Sequence, residues 1–233
     1  MKSHPLIVSI ISGVLLVLLA AACSKSPRLG GSASFGSGGK VSPGQLYREV
    51  NVKKMYIRKG TYGRKERRSM RPRYITVHST QNYSGDAYAH AKALSNGKLR
   101  ARKRRGGNRI GFLTWHFTIQ EDVAIQHLPT NEQGEHADFD GPGNNYSIGL
   151  EMCEHRGNSR EQTLDRTAKL CASLMKEYKI PLSRVVPHYH WPRGGANPPN
   201  KNCPHFLMDN GRPGRKWRGF LDQVNRQYKR INK

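Results

Sequence analysis

Two apolar segments of this chain, residues 74–79 and 185–188, carry a histidine at or near their ends, His78 and His188. Both segments are rich in β-branched residues and therefore predict β-strands. Cys203 follows the second segment. Imidazole nitrogen and thiolate sulfur are ligands that zinc prefers, and a site with three protein ligands keeps a fourth position open for water. The pattern therefore predicts a hydrolytic zinc site at the ends of two strands.

Each of these residues also has a simpler interpretation. A single histidine at the end of an apolar strand is more often a satisfied core residue than a metal ligand, and Cys203 could be a buried thiol or half of a disulfide. The repeated pattern favours ligation by His78 and His188. His190 competes with His188, because side chains alternate with a period of two and the two histidines would share a face if the strand continued.

Six short motifs follow one another between about Val52 and the C-terminus. They are ITVHST at 75–80, TWHF at 114–117, EHAD at 135–138, SIGLEMC at 147–153, HYHW at 188–191 and KNCP at 201–204. In this order they resemble the zinc-dependent N-acetylmuramoyl-L-alanine amidases, the family that includes the phage T7-type lysozyme and is related to the peptidoglycan recognition proteins.

The resemblance implies a fold and an activity. The fold would be α/β, a central mixed β-sheet flanked by helices with a zinc cleft at one edge. One Zn²⁺ per chain would be bound by His78, His188 and Cys203. The reaction would be hydrolysis of the amide bond between N-acetylmuramic acid and L-alanine of the peptidoglycan stem peptide.

Two further residues are expected to take part in catalysis. Glu151 lies in an otherwise apolar run, where an unpaired carboxylate is costly to bury. The resemblance implies that it is the general base for the attacking water, and an ion pair with an arginine is the alternative. Lys201 stands two residues before Cys203, so in extended backbone both side chains point the same way. Its ammonium would stabilise the oxyanion, unless it is an ordinary surface lysine.

Three histidines are expected to line the substrate cleft. His136 is predicted to contact the sugar or the peptide, His116 either to line the cleft or to pack behind it, and His190 to line it. The resemblance also implies that residues 192–199 form a longer loop than is usual in the family. We expect this loop to reshape the cleft.

The N-terminal residues predict export and a lipid anchor. Lys2 precedes an apolar run at residues 6–22, which is shorter than the roughly 20 residues of a comfortable membrane span. The run ends in LAAAC, similar to a bacterial lipobox, so residues 1–23 are predicted to be a lipoprotein signal with Cys23 lipidated. An ordinary signal cut nearby is the alternative.

The remaining chain divides into two predicted parts. Residues 24–45 are rich in Ser and Gly and predict a flexible tether, and residues 46–233 are predicted to be the catalytic domain. The protein would then be a monomer at the cell envelope, anchored to a membrane.

The net charge of +24 predicts contact with a polyanion. Export favours anionic envelope polymers, and we expect no nucleic acid partner. The basic run at residues 98–105 is either a solvated loop or a contact with such a polymer. Two other functional classes stay open: a peptidoglycan-binding module without catalysis, against which Cys203 argues, and an exported nucleic-acid-binding protein, supported only by charge.

Local patterns predict the secondary structure. We expect helices over residues 86–94, 160–178 and 216–228, a hairpin over 114–120 and 123–128, and a strand over 147–153. Strands alternating with helices indicate an α/β domain. Cys153 on that strand and Cys171 on the next helix could form a disulfide in an exported protein or remain buried thiols.

Overall fold

A computed structural model describes residues 39–101 and 109–231 of the chain. The helices are α1 (Pro43–Val50), α2 (Ala87–Ser95), α3 (Pro142–Tyr146), α4 (Arg160–Tyr178) and α5 (Arg215–Arg230). The strands are β1 (Val52–Lys54), β2 (Tyr74–Ser79), β3 (Phe117–Ile119), β4 (Ala124–Gln126), β5 (Ser147–Met152), β6 (Val185–Pro187), β7 (Met208–Asp209) and β8 (Arg212–Pro213).

Six of the strands form a mixed sheet in the order β1-β4-β3-β5-β2-β6. β2 runs parallel to both β5 and β6, and β3 runs parallel to β5. β3 and β4 form the predicted antiparallel hairpin, and β1 lies parallel to β4 at the far edge. The mixed central sheet predicted from the sequence is therefore confirmed.

The two faces of the sheet have different environments, because side chains alternate along each strand. Ile75 and Val77 of β2 face a large apolar core with α4 and α5, which includes Leu174 and Phe220. His78 lies on the opposite face, and its register partner is Glu151 on β5. Part of that opposite face is covered by α2. Helices thus lie on both faces, and the candidate ligands lie on the less covered one.

Local signals explain where the main helices begin and end. The Ser159 hydroxyl accepts a hydrogen bond from the backbone of Gln162 and caps α4, and Lys179 ends the helix in a left-handed conformation. Asp86 caps α2 in the same way through the backbone of Ala89. Each cap acts on a backbone N–H group within the first turn of its helix, so the helix start can be recognised from the local sequence. The predicted boundaries of α2 and α4 therefore agree with those observed to within one residue.

The structure corrects the predicted course of the chain after β6. The strand ends at Pro187, and residues 188–190 form a short 3-10 helix. His190 therefore does not share a face with His188 in a continuing strand, and its side chain is exposed.

The folded region also begins earlier than predicted. Val41 is buried and its backbone donates to the carbonyl of Arg230, and Ser42 caps α1. The predicted tether over residues 24–45 is wrong for its last residues, because they pack onto α4 and the end of α5. The lipobox with Cys23 and the rest of the tether up to residue 38 lie outside the described residues, as does most of the basic run at 98–105. No helix within the described ranges is long and apolar enough to span a bilayer.

Cys153 and Cys171 are both buried free thiols. Cys153 packs with α2 on one side of the sheet, and Cys171 belongs to the core on the other side. The disulfide considered from the sequence is not formed, because the sheet lies between the two sulfurs.

Candidate functional site

The structure brings His78, His188 and Cys203 together. His78 is near the end of β2, His188 follows β6 directly, and Cys203 lies in the loop before β7. Their ligand atoms all lie within 4.8 Å of one another, and all three residues are buried. Within the described ranges this is the one cluster of at least three His, Cys, Asp or Glu residues arranged to hold a metal ion.

The hydrogen bonds of His78 determine which of its nitrogens is free. His136 Nε2 lies 3.2 Å from the Ser147 carbonyl oxygen, which can only accept, so this nitrogen donates. His136 Nδ1 is then an acceptor, and it lies 3.0 Å from His78 Nε2. His78 Nε2 therefore carries the proton, and its Nδ1 presents a lone pair to the site.

His188 is fixed in the corresponding way. Its Nε2 donates to the carbonyl oxygen of Ala137 at 3.1 Å, which leaves Nδ1 unprotonated. Burial, and then the positive charge of Lys201, lower the pKa of His188 to about 3. Burial also holds the pKa of His78 well below its ordinary value, so both rings are neutral.

These lone pairs show that the residues fit a metal ion. The Nδ1 atoms of His78 and His188 lie 2.9 Å apart, and neither has a proton to offer the other. A cation held by both nitrogens removes this unfavourable contact. Two neutral imidazoles and one sulfur form a donor set of the kind that zinc takes in catalytic sites with three protein ligands.

Cys203 lies against the end of β2. The backbone N–H of Ser79 approaches its Sγ at 3.4 Å and can donate to a thiolate. Burial, with a smaller contribution from Glu151, raises the pKa of the Cys203 thiol to about 12, and Lys201 opposes the rise. A bound metal ion supplies the positive charge that deprotonates a coordinating thiol.

A chain of polar side chains lies next to this cysteine. The Ser79 hydroxyl is 3.2 Å from His205 Nδ1, and His205 Nε2 is 3.4 Å from a carboxylate oxygen of Glu154. The other oxygen of Glu154 accepts from the backbone of Gln81 at 3.0 Å. Sequence reasoning missed His205 and Glu154, although His205 follows the KNCP motif directly.

Glu151 is placed to act on a molecule between it and the ligands. Its Oε1 lies 3.9 Å from His78 Nδ1, and its Oε2 is buried without a hydrogen-bond partner among the described residues. Burial raises the pKa of this carboxyl to about 8, and the charge of Lys201 opposes the rise. The ion pair with an arginine considered from the sequence is not formed within the described ranges.

Lys201 lines the same cavity as His78, His188 and Glu151. Its ammonium is close enough to lower the pKa of both histidines. The cavity has a volume of about 230 Å³ and is open to solvent on one side. A cation, a carboxylate and the candidate metal ligands thus share one small cavity, an arrangement suited to the hydrolysis of a polar bond.

The three histidines predicted to contact substrate lie in different places. His136 lines the cavity, but both of its ring nitrogens are used to hold His78. His116 is fully buried, accepts from the backbone of Gly149 and donates to the carbonyl of Glu132, so it packs behind the site. His190 lies in a separate surface depression beside α5. Of the three, only His136 is brought to the cavity.

The structure adds two arginines to the cavity wall. Arg193, in the 192–199 loop, lines the cavity, so this loop does contribute to the cleft. Arg109 also lines it, directly after the basic run. In a chain with 40 Lys and Arg residues, nothing in the local sequence distinguishes Arg109 from its neighbours.

Comparisons with known proteins agree with this geometry. The family model described as N-acetylmuramoyl-L-alanine amidase matches residues 68–206, which include all three candidate ligands. The N-acetylmuramoyl-L-alanine amidase CwlH of Bacillus subtilis (strain 168) is 37% identical over 161 residues, 67% of this chain and 54% of the relative. The amidase XlyA of the same strain is 38% identical over 144 residues, 60% of this chain and 42% of the relative.

A solved structure shares the fold as well as the sequence. The catalytic domain of XlyA matches with a TM-score of 0.60 and 35% identity, over 75% of this chain and 99% of that domain. The chain spans about half the length of the curated relatives that it matches. Since the family model covers more than half of the 233 residues, this chain belongs to the N-acetylmuramoyl-L-alanine amidase family.

Proposed function

We propose that this chain hydrolyses the amide bond between the lactyl group of N-acetylmuramic acid and L-alanine of the peptidoglycan stem peptide, with one zinc ion bound by His78, His188 and Cys203. One observation carries the proposal. Two unprotonated Nδ1 atoms face each other beside a carboxylate, Glu151, that has no hydrogen-bond partner among the described residues. The family supplies the substrate class, because the curated relatives are named for this activity.

The protein's own residues would each have a separate task. Zinc, when bound, supplies a Lewis acid that polarises a carbonyl and acidifies water. Glu151 accepts a proton from the attacking water, since its free Oε2 needs a donor. The same carboxyl then delivers the proton to the leaving amine of L-alanine. The raised pKa of Glu151 favours its protonated form, which is the form that delivers the proton to the leaving amine.

Lys201 would stabilise the negative charge that develops on the carbonyl oxygen. Its ammonium lines the same cavity as Glu151 and both histidines, so the stabilising positive charge is already in place before the reaction begins. His136 would hold the His78 ring so that Nδ1, not Nε2, faces the metal.

A peptidoglycan-binding module without catalysis is the alternative. It would need the cavity but neither a metal-facing Cys203 nor an unpaired carboxylate. Burying a carboxylate without a partner costs folding free energy, and a module that only binds would gain nothing in return. The buried, unpaired Glu151 therefore supports the enzyme.

The decisive experiment is digestion of purified peptidoglycan with and without a chelator, with the products identified by mass spectrometry. We expect free stem peptides that begin with L-alanine, loss of this activity on chelation, and its return on addition of zinc. Binding to peptidoglycan without release of peptides would support the alternative.

We also propose that the full protein is held at the cell envelope, as a monomer, by a lipid on Cys23. A further contact with anionic envelope polymers is supported by α5, whose exposed face carries Arg215, Arg218, Arg226 and Lys229. Such a surface would bring the catalytic domain to a negatively charged wall, and high salt would weaken this attraction by screening the charges.

A further inference from the structure

Arg109 is a buried cation in the wall of the metal cavity. It is 7% exposed, and it lines the cavity together with the candidate ligands and Glu151. Arginine stays charged in proteins, and a buried charge needs partners. The partners of Arg109 therefore show whether its positive charge is already satisfied.

The neighbouring backbone is fixed by a buried carboxylate. Glu135 accepts from the backbone N–H of Ile110 at 2.6 Å and of Gly111 at 3.3 Å. It also accepts from Arg68 at 3.0 Å. Glu135 accepts from these three donors and so anchors the segment that presents Arg109, and its negative charge also favours the charged form of that arginine without a hydrogen bond to it among the described contacts.

The guanidinium of Arg109 is only partly satisfied. Nη2 donates to the side-chain oxygen of Asn145 at 2.8 Å, and Nε lies 3.0 Å from Asp140, whose side chain is 43% exposed. Nη1 is buried and has no hydrogen-bond partner among the described residues. A buried charged donor left without a partner is costly, so it is well suited to an acceptor that arrives with the ligand.

The chemistry of the proposed substrate identifies this acceptor. Guanidinium groups bind carboxylates strongly through paired N–H donors. In the proposed substrate the acyl half carries no free carboxylate, because the lactyl carboxyl is already part of the amide. The carboxylates are on the peptide half. One that reaches the same cavity as the scissile bond must be near L-alanine in the stem.

We propose that Arg109 binds the stem-peptide carboxylate nearest to the scissile bond, on the residue after L-alanine, and thereby makes the enzyme prefer stems with a free carboxylate there over stems in which it is amidated. This inference rests on the proposed function and adds a specificity determinant to it. The described polar contacts of Arg109 are with Asn145 and Asp140 and not with a candidate metal ligand, so its exchange should leave zinc binding unchanged.

The test uses two soluble muramoyl-peptides that differ only in amidation of this carboxylate. Wild-type protein should show a higher kcat/KM for the free acid. Arg109→Gln should lower kcat/KM for the free acid on the order of 10- to 100-fold, the scale of a hydrogen bond to a charged group, and leave the amidated substrate nearly unchanged. Arg109→Lys, which keeps the charge, should restore part of the preference. Arg48→Gln, an exchange at an exposed position of α1, is the matched control and should leave kcat/KM unchanged for both substrates.

A purely structural role for Arg109 gives a different result. In that case Arg109→Gln would lower thermal stability and reduce kcat/KM equally for both substrates, and this outcome would overturn the proposal. Equal kcat/KM of the wild-type protein for the free acid and the amidated substrate would overturn it as well. If wild-type protein cleaves neither substrate, the proposed function fails. The carboxylate preference is then decided by calorimetric binding of the two muramoyl-peptides to Glu151→Gln protein with and without Arg109→Gln. Equal or absent binding of both compounds would reject it.

Discussion

The Nδ1 atoms of His78 and His188 face each other at 2.9 Å, and the protons of both rings are on the opposite nitrogens. Each ring is held in this tautomer by an acceptor on its far side. The unfavourable contact between two lone pairs is therefore built into the protein, and it makes the site ready for a cation.

Cys203 should complete the metal site. Cys203→Ser should sharply lower the zinc content from about one ion per chain, the stoichiometry of a single site, because serine is a much poorer zinc ligand than a thiolate. Elemental analysis of purified protein measures this. Cys153→Ala, which removes another buried thiol outside the cluster, should keep its zinc. Undiminished zinc in Cys203→Ser would exclude Cys203 from the site.

His136 should control metal affinity through His78. His136→Phe keeps a ring of similar size but removes the acceptor for His78 Nε2. We expect zinc affinity to fall about 10- to 100-fold, as for other partners of ligating histidines. Competition with a chelating dye would measure it, and the same exchange at exposed His190 is the control. Equal affinity in both variants would show that His78 is oriented without His136.

Glu151 should be needed for turnover and not for zinc. Glu151→Gln preserves shape but cannot accept the proton from water, so release of stem peptides should slow on the order of 100-fold or more. Zinc content and thermal unfolding should stay close to those of wild type. Glu161→Gln, on the exposed first turn of α4, should be fully active. Near-normal turnover by Glu151→Gln would assign the base to another group.

Lys201 should act on the rate through its charge. Lys201→Ala should retain zinc and lose turnover, because the oxyanion then lacks the neighbouring ammonium. Lys201→Arg keeps the charge and should recover part of the rate. A rate for Lys201→Ala equal to wild type would identify Lys201 as an ordinary surface lysine.

The lipid anchor can be tested on the full chain. Protein with a lipidated Cys23 should stay with membranes after a high-salt wash, whereas protein held by charge alone should be released. Cys23→Ser should abolish lipid labelling and membrane retention. Release of the native protein by salt, with no acyl chain found by mass spectrometry, would favour an ordinary signal.

Residues close in sequence could be predicted well. The exact extents of β2 and α4 follow from apolar periodicity and from caps such as Ser159, which act within one turn. Short elements were missed, α1 and β1 among them, because three to eight residues carry little periodicity. The motif order predicted His78, His188 and Cys203 as the ligand set, and the structure places them in one cluster that could hold a metal ion.

The sequence by itself determined which residue types were available for chemistry and which segments would be strands and helices, because these depend on local pattern. The tertiary structure alone decided how they are used. It placed the proton of His78 on Nε2 through His136, 58 positions away, and turned His190 out of the cleft at the end of β6. It also left Nη1 of Arg109, a residue that lines the cavity, without a hydrogen-bond partner among the described residues. These features arise from contacts between distant segments, and no local pattern records such contacts.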